Sequence, residues 1–581
     1  MITSRPLAMP GQAAGSGHSA PPVDRLALYL IRPSRYDDEG YPIRHFRAVI
    51  PSNTLATLHS LTRDAARRGD LGPVRVDTVL VDETVHPIPH RRIRRDSGRP
   101  GTRVLVALCG VQTNQYPRAQ DLARRFRRDG AEVLIGGFHV SGANALVKGT
   151  APELQEMMDL GVHLFRGEAD ACWGELLRGI IDGTLPPMTD RTGDKPDLYD
   201  KPVPLSDRDY LRRFAIPDTG TLDAGRGCPF DCSFCTVVRV QGRVMRCRSS
   251  RAILAALRRQ YPQGTRFYFF TDDNFSRHPE WEVIFEGLAG LRREGLEITF
   301  VMQVDTLAAR IPRFAEKAAA AGCVQVFIGL ESVNPVNLAA GGKRQNNVAD
   351  YRDMIEAWHA RGIITNCGYI LGFPEDTPAS IAEDVLRLRD EIRPDLASFF
   401  MLTPLPGSLD HARAVENGTR MDADLNRYDS THPVSDLPRK TREDLRQAYR
   451  RAWADFYSMT HMKRCLTRLK GSAYWNLFHG YFWHRNSVEL GEHPMMSGFY
   501  RLRDRLERRP DLPQEGRLAH AWRQTRETVR QVRTWGRLLV EMREVWWETR
   551  HHGKEGRMKA FLKAAFAVPP LIRAFVPRPQ G

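Results

Sequence analysis

At 581 residues the chain is too long for a single compact core, so two or three domains are expected. Its 42% hydrophobic and 27% charged residues are ordinary for a soluble globular protein, and no apolar run reaches the length of a membrane span. The net charge of +16 is uneven, since residues 501–581 hold 19 Lys/Arg against 9 Asp/Glu, a basic end that suits an anionic membrane surface, nucleic acid or simply a solvated helical face.

Residues 1–24 carry Pro, Gly, Ser and Ala without an apolar segment and read as a disordered leader. From residue 25 short apolar runs at 26–31, 76–81, 103–108, 132–135 and 162–165 alternate with helical stretches at 52–65 and 117–129. That alternation predicts βαβ units and a doubly wound, Rossmann-like parallel sheet over 25–175. Ligands of such sheets sit beyond the carboxyl ends of the strands, which here carry Gly110, Gln112 and Thr113, then Gly136, Gly137 and His139, then Gly167 and Glu168. Residues 176–218, rich in Pro, Asp and Gly, read as a linker.

A second series opens at 219, with candidate strands at 219–224, 266–271, 297–303, 324–330, 364–371 and 396–402 and amphipathic helices between them. Six parallel strands over 219–425 predict a partial (β/α)6 barrel, with its chemistry at the carboxyl ends. From 426 to 581 the pattern is mostly helical, with 441–464 and 522–550 as helices. In the latter, Val529, Val532, Leu539, Met542 and Trp546 form a stripe at helical spacing. The segment 557–576, where Lys and Arg alternate with apolar residues, is a candidate for lying on a membrane surface. The aromatics of 462–503 either line a pocket or seal the barrel.

Nine thinly spread cysteines without a secretory signal argue against a disulfide framework and for a reducing cytoplasm. Three of them, Cys228, Cys232 and Cys235, fall within eight residues of one loop after the first strand of the second series. Thiolates bind iron, and three on one loop hold three corners of a [4Fe–4S] cube, leaving one iron open. A zinc site needs a fourth ligand, and no second pair of ligands follows at the usual spacing.

The spacing C-x-x-x-C-x-x-C, with Phe234 before the third cysteine, resembles the signature of radical S-adenosylmethionine (SAM) enzymes. The segments 269–275 (FFTDDNF), 327–332 (FIGLES), 368–377 (GYILGFPEDT) and 403–408 (TPLPGS) resemble the family's strand-end motifs. The resemblance implies that the three cysteines bind the cluster. It also implies that Phe234 packs near the adenine, and that Asp272, Asp273, Gln303 and Glu331 are candidate SAM contacts, with helix capping as the alternative for the acids. The loops of the first domain resemble the cobalamin-binding domain of the same superfamily, although the D-x-H-x-x-G motif that supplies a lower axial histidine in other cobalamin proteins is absent, which leaves the axial ligand open.

Together these resemblances imply a cobalamin-dependent radical SAM enzyme. It would cleave SAM reductively to a 5′-deoxyadenosyl radical and methylate an unactivated carbon of a small-molecule or natural-product substrate, with a flavodoxin or ferredoxin as reducing partner. Oxidation or ring formation without methyl transfer is the alternative, and a non-catalytic cobalamin- or nucleic-acid-binding protein a third. The cysteine trio argues against the third, so no nucleic acid is expected. A cytoplasmic location, with a peripheral membrane contact through the basic C-terminus, completes the reading.

Overall fold

The computed structural model describes residues 23–205, 207–216 and 218–550. The leader (apart from its last two residues) and the segment 557–576 lie outside the described residues.

The first seven strands are β1 (Arg25–Arg32), β2 (Arg44–Ala48), β3 (Arg75–Asp82), β4 (Thr102–Leu108), β5 (Glu132–Gly136), β6 (His163–Arg166) and β7 (Met188–Asp190). Six of them form a parallel sheet in the order β3-β1-β4-β5-β6-β7. Strand β1 shows why both faces are covered. Leu26, Leu28 and Leu30 pack with Leu55 and Leu58 of the helix Asn53–Arg68 and with Trp173 and Leu176 of Trp173–Asp182. Ala27, Tyr29 and Ile31 point the other way, onto Tyr116, Leu122 and Phe126 of Tyr116–Arg128. Burial on two faces is what a continuous apolar run encodes in a parallel sheet. Part of the expected linker is therefore structured: it holds the end of Trp173–Asp182, and β7 joins the sheet.

The second sheet comprises β8 (Thr219–Leu222), β11 (Phe267–Phe270), β12 (Thr299–Val304), β13 (Cys323–Glu331), β14 (Ile364–Leu371) and β15 (Leu396–Met401), all parallel and in sequence order. Its end strands β8 and β15 do not pair, so the barrel is partial. Between β8 and β11 the short strands β9 (Gly225–Arg226) and β10 (Arg246–Cys247) form an antiparallel ribbon flanking the cysteine loop.

The C-terminal part is helical: Arg442–Phe456, Met459–Arg468, Gly471–Glu489 and Arg517–Thr549. One strand there, β16 (Gly498–Leu502), pairs antiparallel with β2 and ties the end of the chain to its beginning. The predicted apolar stripe of the last helix is rotated. Its buried side holds Trp535, Leu538, Met542 and Val545, while Val529 and Val532 are exposed on the outer side with Leu518, Trp522, Val540 and Trp547. Trp535 decides the rotation, because its indole Nε1 donates to Asn486 Oδ1 at 2.8 Å. Among the described residues no helix is long and apolar enough to cross a membrane.

Candidate active site

The cysteine loop is held by backbone contacts from four directions. Asp272, just beyond β11, accepts hydrogen bonds from the amides of Ala224 (2.9 Å) and Gly225 (2.6 Å). Its burial pushes the carboxyl up to about 8, with those amides pulling the other way. The Cys228 amide donates to Gly242 O at 3.2 Å, the Ser233 amide to Gly341 O at 3.0 Å, and the Asp410 amide to Ser233 O at 3.1 Å. Gly227 has φ +100°, and a Cβ there would lie 2.5 Å from Val244 O, so the turn into Cys228 needs a glycine. Cys232 is buried and Cys228 and Cys235 half-buried. Burial raises all three thiols, Cys235 to about 12, and the Lys343 ammonium opposes that on each. A metal replaces those protons, so the trio suits iron better than free thiolate. Among the described residues no three Cys, His, Asp or Glu side chains converge on a single-ion site. A cubane asks for a different geometry, one thiolate per iron.

Above the middle of the barrel the inward positions turn small. Gly329, Gly368 and Ser398 share one register row across β13, β14 and β15. A Cβ on Gly368 would meet the Phe327 ring at 2.8 Å, and one on Gly329 would meet Glu331 Oε1 at 2.7 Å. Glu331 has φ +69°, a left-handed conformation that costs a non-glycine residue about 1 kcal/mol or more. Its carboxylate is ion-paired with Lys343 Nζ at 2.6 Å, and the same ammonium sits 6.0 Å from the Phe234 ring centroid. Lys343 had no signal in the sequence beyond its charge. Of the other expected SAM contacts, Asp272 is occupied by backbone amides, and Gln303 Nε2 donates to Asp272 O at 3.1 Å.

The carboxyl ends of the first sheet and the base of the cysteine loop enclose a cavity of about 210 Å³. Its loops include Gly110, Gly136, Gly137, Gly167 and Glu168, and its apolar slot Leu58, Leu134, Phe165 and Trp173. A Cβ on Gly137 would lie 2.1 Å from Val111 N, and one on Gly167 2.7 Å from Arg191 O, so backbone alone forms this wall. Gln112, Thr113 and His139 stand back from it. His139 is buried against Tyr116, with ring centroids 4.2 Å apart, and its Nδ1 is 3.3 Å from Thr113 Oγ1.

The opposite wall carries Asp223, Arg226, Thr271 and Asp273. Asp273 is exposed on this wall of the cavity. Arg226, two residues before Cys228, is the hub of the seam. It pairs with Glu168 (2.9 Å) and Asp170 (2.6 Å) of the first sheet's loop and with Asp223 (2.8 Å) of its own. Arg246 adds a 2.5 Å pair to Glu168 and the fully buried Arg248 a 3.2 Å pair to Asp223. Burial opposes ionisation of Asp223, but the two guanidinium groups hold it down at about 2. These arginines were missed in the sequence because single arginines have no spacing signature.

The lower half of the barrel holds a second cavity, of about 860 Å³. Phe269, Val301, Phe327 and Leu396 face it from the strands, Trp475 and Trp483 from Gly471–Glu489, and Phe46 and Phe499 from the β2–β16 ribbon. Strand β11 links the two spaces, since Phe267 and Phe269 line the lower one and Thr271 and Asp273 the upper.

Residues 223–388 match the Radical SAM superfamily, and this stretch of the chain is a radical SAM domain. The chain is 25% identical over 350 residues to "Uncharacterized methyltransferase PH0819" of Pyrococcus horikoshii, covering 56% of this chain and 72% of that one. It is 27% identical over 337 residues to the bacteriochlorophyllide d C-12(1)-methyltransferase of Chlorobaculum tepidum, covering 56% and 69%. In fold it is similar to the radical SAM methyltransferase TsrM of Kitasatospora setae, solved with cobalamin and a [4Fe–4S] cluster. The TM-score is 0.52 at 16% identity, over 67% of this chain and 78% of that one. More particularly, then, the relatives matched over about half of this radical SAM chain are methyltransferases and methylases, while two anaerobic magnesium-protoporphyrin IX monomethyl ester cyclases match over about a third of it.

Proposed function

We propose that the protein is a cobalamin-dependent radical SAM methyltransferase acting on an unactivated carbon. The observation that carries this is the seam. The glycine-walled cavity of the first sheet is bounded on its far side by Gly225 and Arg226, which lead into the loop of Cys228, Cys232 and Cys235, and Arg226 ties the two domains together. The fit to cobalamin rests on a wall of backbone at Gly110, Gly137 and Gly167 for a broad ligand and an apolar slot at Leu58 and Trp173 behind it. Cys228, Cys232 and Cys235 would hold the cluster; the cluster supplies the electron that splits a carbon–sulfur bond of SAM, and cobalamin a methyl carrier.

The chain's own part is positioning. The Gly329–Gly368–Ser398 row adds no bulk of its own, Phe327 and Glu331 pack over its two glycines, and Glu331, Lys343 and Gln303 are the side chains that would meet SAM from the barrel side. Below that row the lining is mostly apolar, with Gln303, Gln325 and Asn366 as its amides, and it limits water near the radical. An outside one-electron donor is required.

The test is anaerobic turnover of reconstituted enzyme with SAM, a reductant and a methyl-accepting candidate. Formation of both 5′-deoxyadenosine and S-adenosylhomocysteine is expected. 5′-Deoxyadenosine alone with a consumed substrate would instead support oxidation or cyclisation.

A membrane contact is supported by the outer side of Arg517–Thr549. Leu518, Trp522, Val540 and Trp547 are exposed there, beside Arg526, Arg533 and Arg543, which have no ion pair among the described residues. Co-sedimentation with phosphatidylglycerol vesicles but not with phosphatidylcholine ones is the expected result, and equal partition would end this reading.

A further inference from the structure

We infer that the substrate is a neutral, largely apolar molecule of polycyclic size, held in the lower barrel with its one polar end toward the cofactors. The inference rests on the methyl-transfer reading in taking this lumen as the substrate site, and it adds the chemistry of what enters.

Size comes first. At about 860 Å³ the lumen lies near the top of the range of small-molecule sites, which runs from about 300 to 1,000 Å³. An amino acid or a single sugar would leave most of it empty.

Charge is the sharper criterion. Of the residues lining the lumen, Arg47 alone carries a full charge, and its Nη1 donates to the Phe214 carbonyl at 2.9 Å. No Asp, Glu or Lys lines it. The two histidines, His479 and His484, are held by the surrounding protein down at about 4, so both are neutral at pH 7. A cationic substrate group placed here loses its water and gains no counter-ion, a cost of several kcal/mol, and Arg47 is the single charge that an anion would meet. The upper cavity shows what this chain builds where charge must be accommodated, with three arginines set against three carboxylates.

The side-chain amides gather in two adjacent rows at the upper part of the lumen. Gln303, Phe327 and Asn366 stand in one register row, and Gln325 lies two residues before Phe327 on β13. Gln303 already spends its amide N–H on Asp272 O, and Asn366 Oδ1 accepts from Ser398 Oγ at 3.2 Å. The Gln325 amide has no hydrogen bond among the described residues and is half-buried on the wall. Neutral amides read a hydroxyl, carbonyl or amide, not an ammonium or carboxylate. This row lies directly below Gly329 and Gly368. A substrate whose hydroxyl or carbonyl reaches Gln325 is anchored at the upper part of the lumen, two rows below Gly329.

Equilibrium dialysis of the reconstituted holoenzyme against tritiated cholestanol, a neutral tetracyclic alcohol, tests this, with the corresponding 3-amine, protonated at pH 7, as the charged comparator. Saturable binding is expected, at least tenfold tighter for the alcohol. Gly480→Phe fills the lumen from Gly471–Glu489, where a Cβ meets nothing closer than Leu396 Cδ1 at 3.6 Å. Since glycine is also the poorer helix former, this variant is expected to fold and to lose at least tenfold in affinity. Equal binding of the amine, or a folded Gly480→Phe protein with unchanged affinity, would overturn the inference. Binding that behaves as expected, with no S-adenosylhomocysteine formed from any apolar acceptor, would count against methyl transfer and leave the lumen assignment standing.

Discussion

The two cavities are built from different materials. The upper one is walled by backbone and by ion pairs: glycines at 110, 137 and 167 on one side, and Arg226, Glu168, Asp170 and Asp223 across the seam. The lower one is walled by side chains, most of them aromatic or aliphatic, contributed by the barrel strands, the C-terminal helices and the β2–β16 ribbon. A backbone wall tolerates no added atom, and a buried ionic wall tolerates no unpaired partner. An apolar wall can be reshaped one methyl group at a time. The cofactor end is therefore expected to be brittle and the substrate end adjustable.

The largest effect that would expose this difference is at the thiols. Cys228→Ala, Cys232→Ala or Cys235→Ala is expected to abolish the brown absorbance of the anaerobically reconstituted protein and to reduce 5′-deoxyadenosine formation to background. Cholestanol binding in the lumen is expected to persist. If sterol binding disappeared too, the two cavities would not be independent.

Next is Arg226→Leu. It removes the partner of three buried carboxylates, and breaking a buried pair in this way costs about 3–5 kcal/mol. A shifted urea midpoint and loss of cobalamin on gel filtration are the expected readouts. Gly137→Ala is milder for stability but specific. Its Cβ would lie 2.1 Å from Val111 N, so the loop must move, and cobalamin affinity is expected to fall at least tenfold by absorbance titration while the cluster still assembles.

The contrast in materials also explains what could be read from the sequence. The upper end is coded by glycines and cysteines at fixed offsets within single loops, so Cys228–Cys235, Gly136-Gly137 and Gly167-Glu168 stood out as local patterns, and the alternating strands around them gave both sheets. The lumen is coded by every second residue of six strands plus three distant segments. Phe269, Val301, Phe327 and Trp475 are ordinary core residues until the fold sets them around one space. Lys343 and Arg226 were invisible for a related reason, since Lys343 acts through Glu331, 12 residues away, and Arg226 joins Asp223 to Glu168, 58 residues away. The last helix misled because its outer side is apolar as well as its inner one, and Trp522, Val529 and Val540 mimic a core stripe.

The smallest expected effect is on pH dependence, and it separates the lumen from the rest of the molecule. His432 lies between Asp429 (3.0 Å) and Asp38 (3.3 Å), tying the barrel's exit to the loop after β1. Burial works against its charge, but the two carboxylates hold it at about 9, above the ordinary histidine value of about 6.5. A raised native value means its stabilisation is complete below about pH 6.5 and is lost as pH rises through 9. The buried His461 and His484 run the other way. Burial lowers both to about 4, so they cost stability as pH falls from 6.5 toward 4. Thermal stability is therefore expected to peak near neutrality and decline on both sides, and His432→Gln should flatten the alkaline limb alone, as read by the unfolding midpoint at pH 7 and 9.5. Sterol affinity in the lumen, where both imidazoles stay neutral above pH 5, is expected to be flat from pH 5.5 to 8.5. A sloping affinity over that range would mean that a charged group faces the ligand after all, and the lower cavity would then share the material of the upper one.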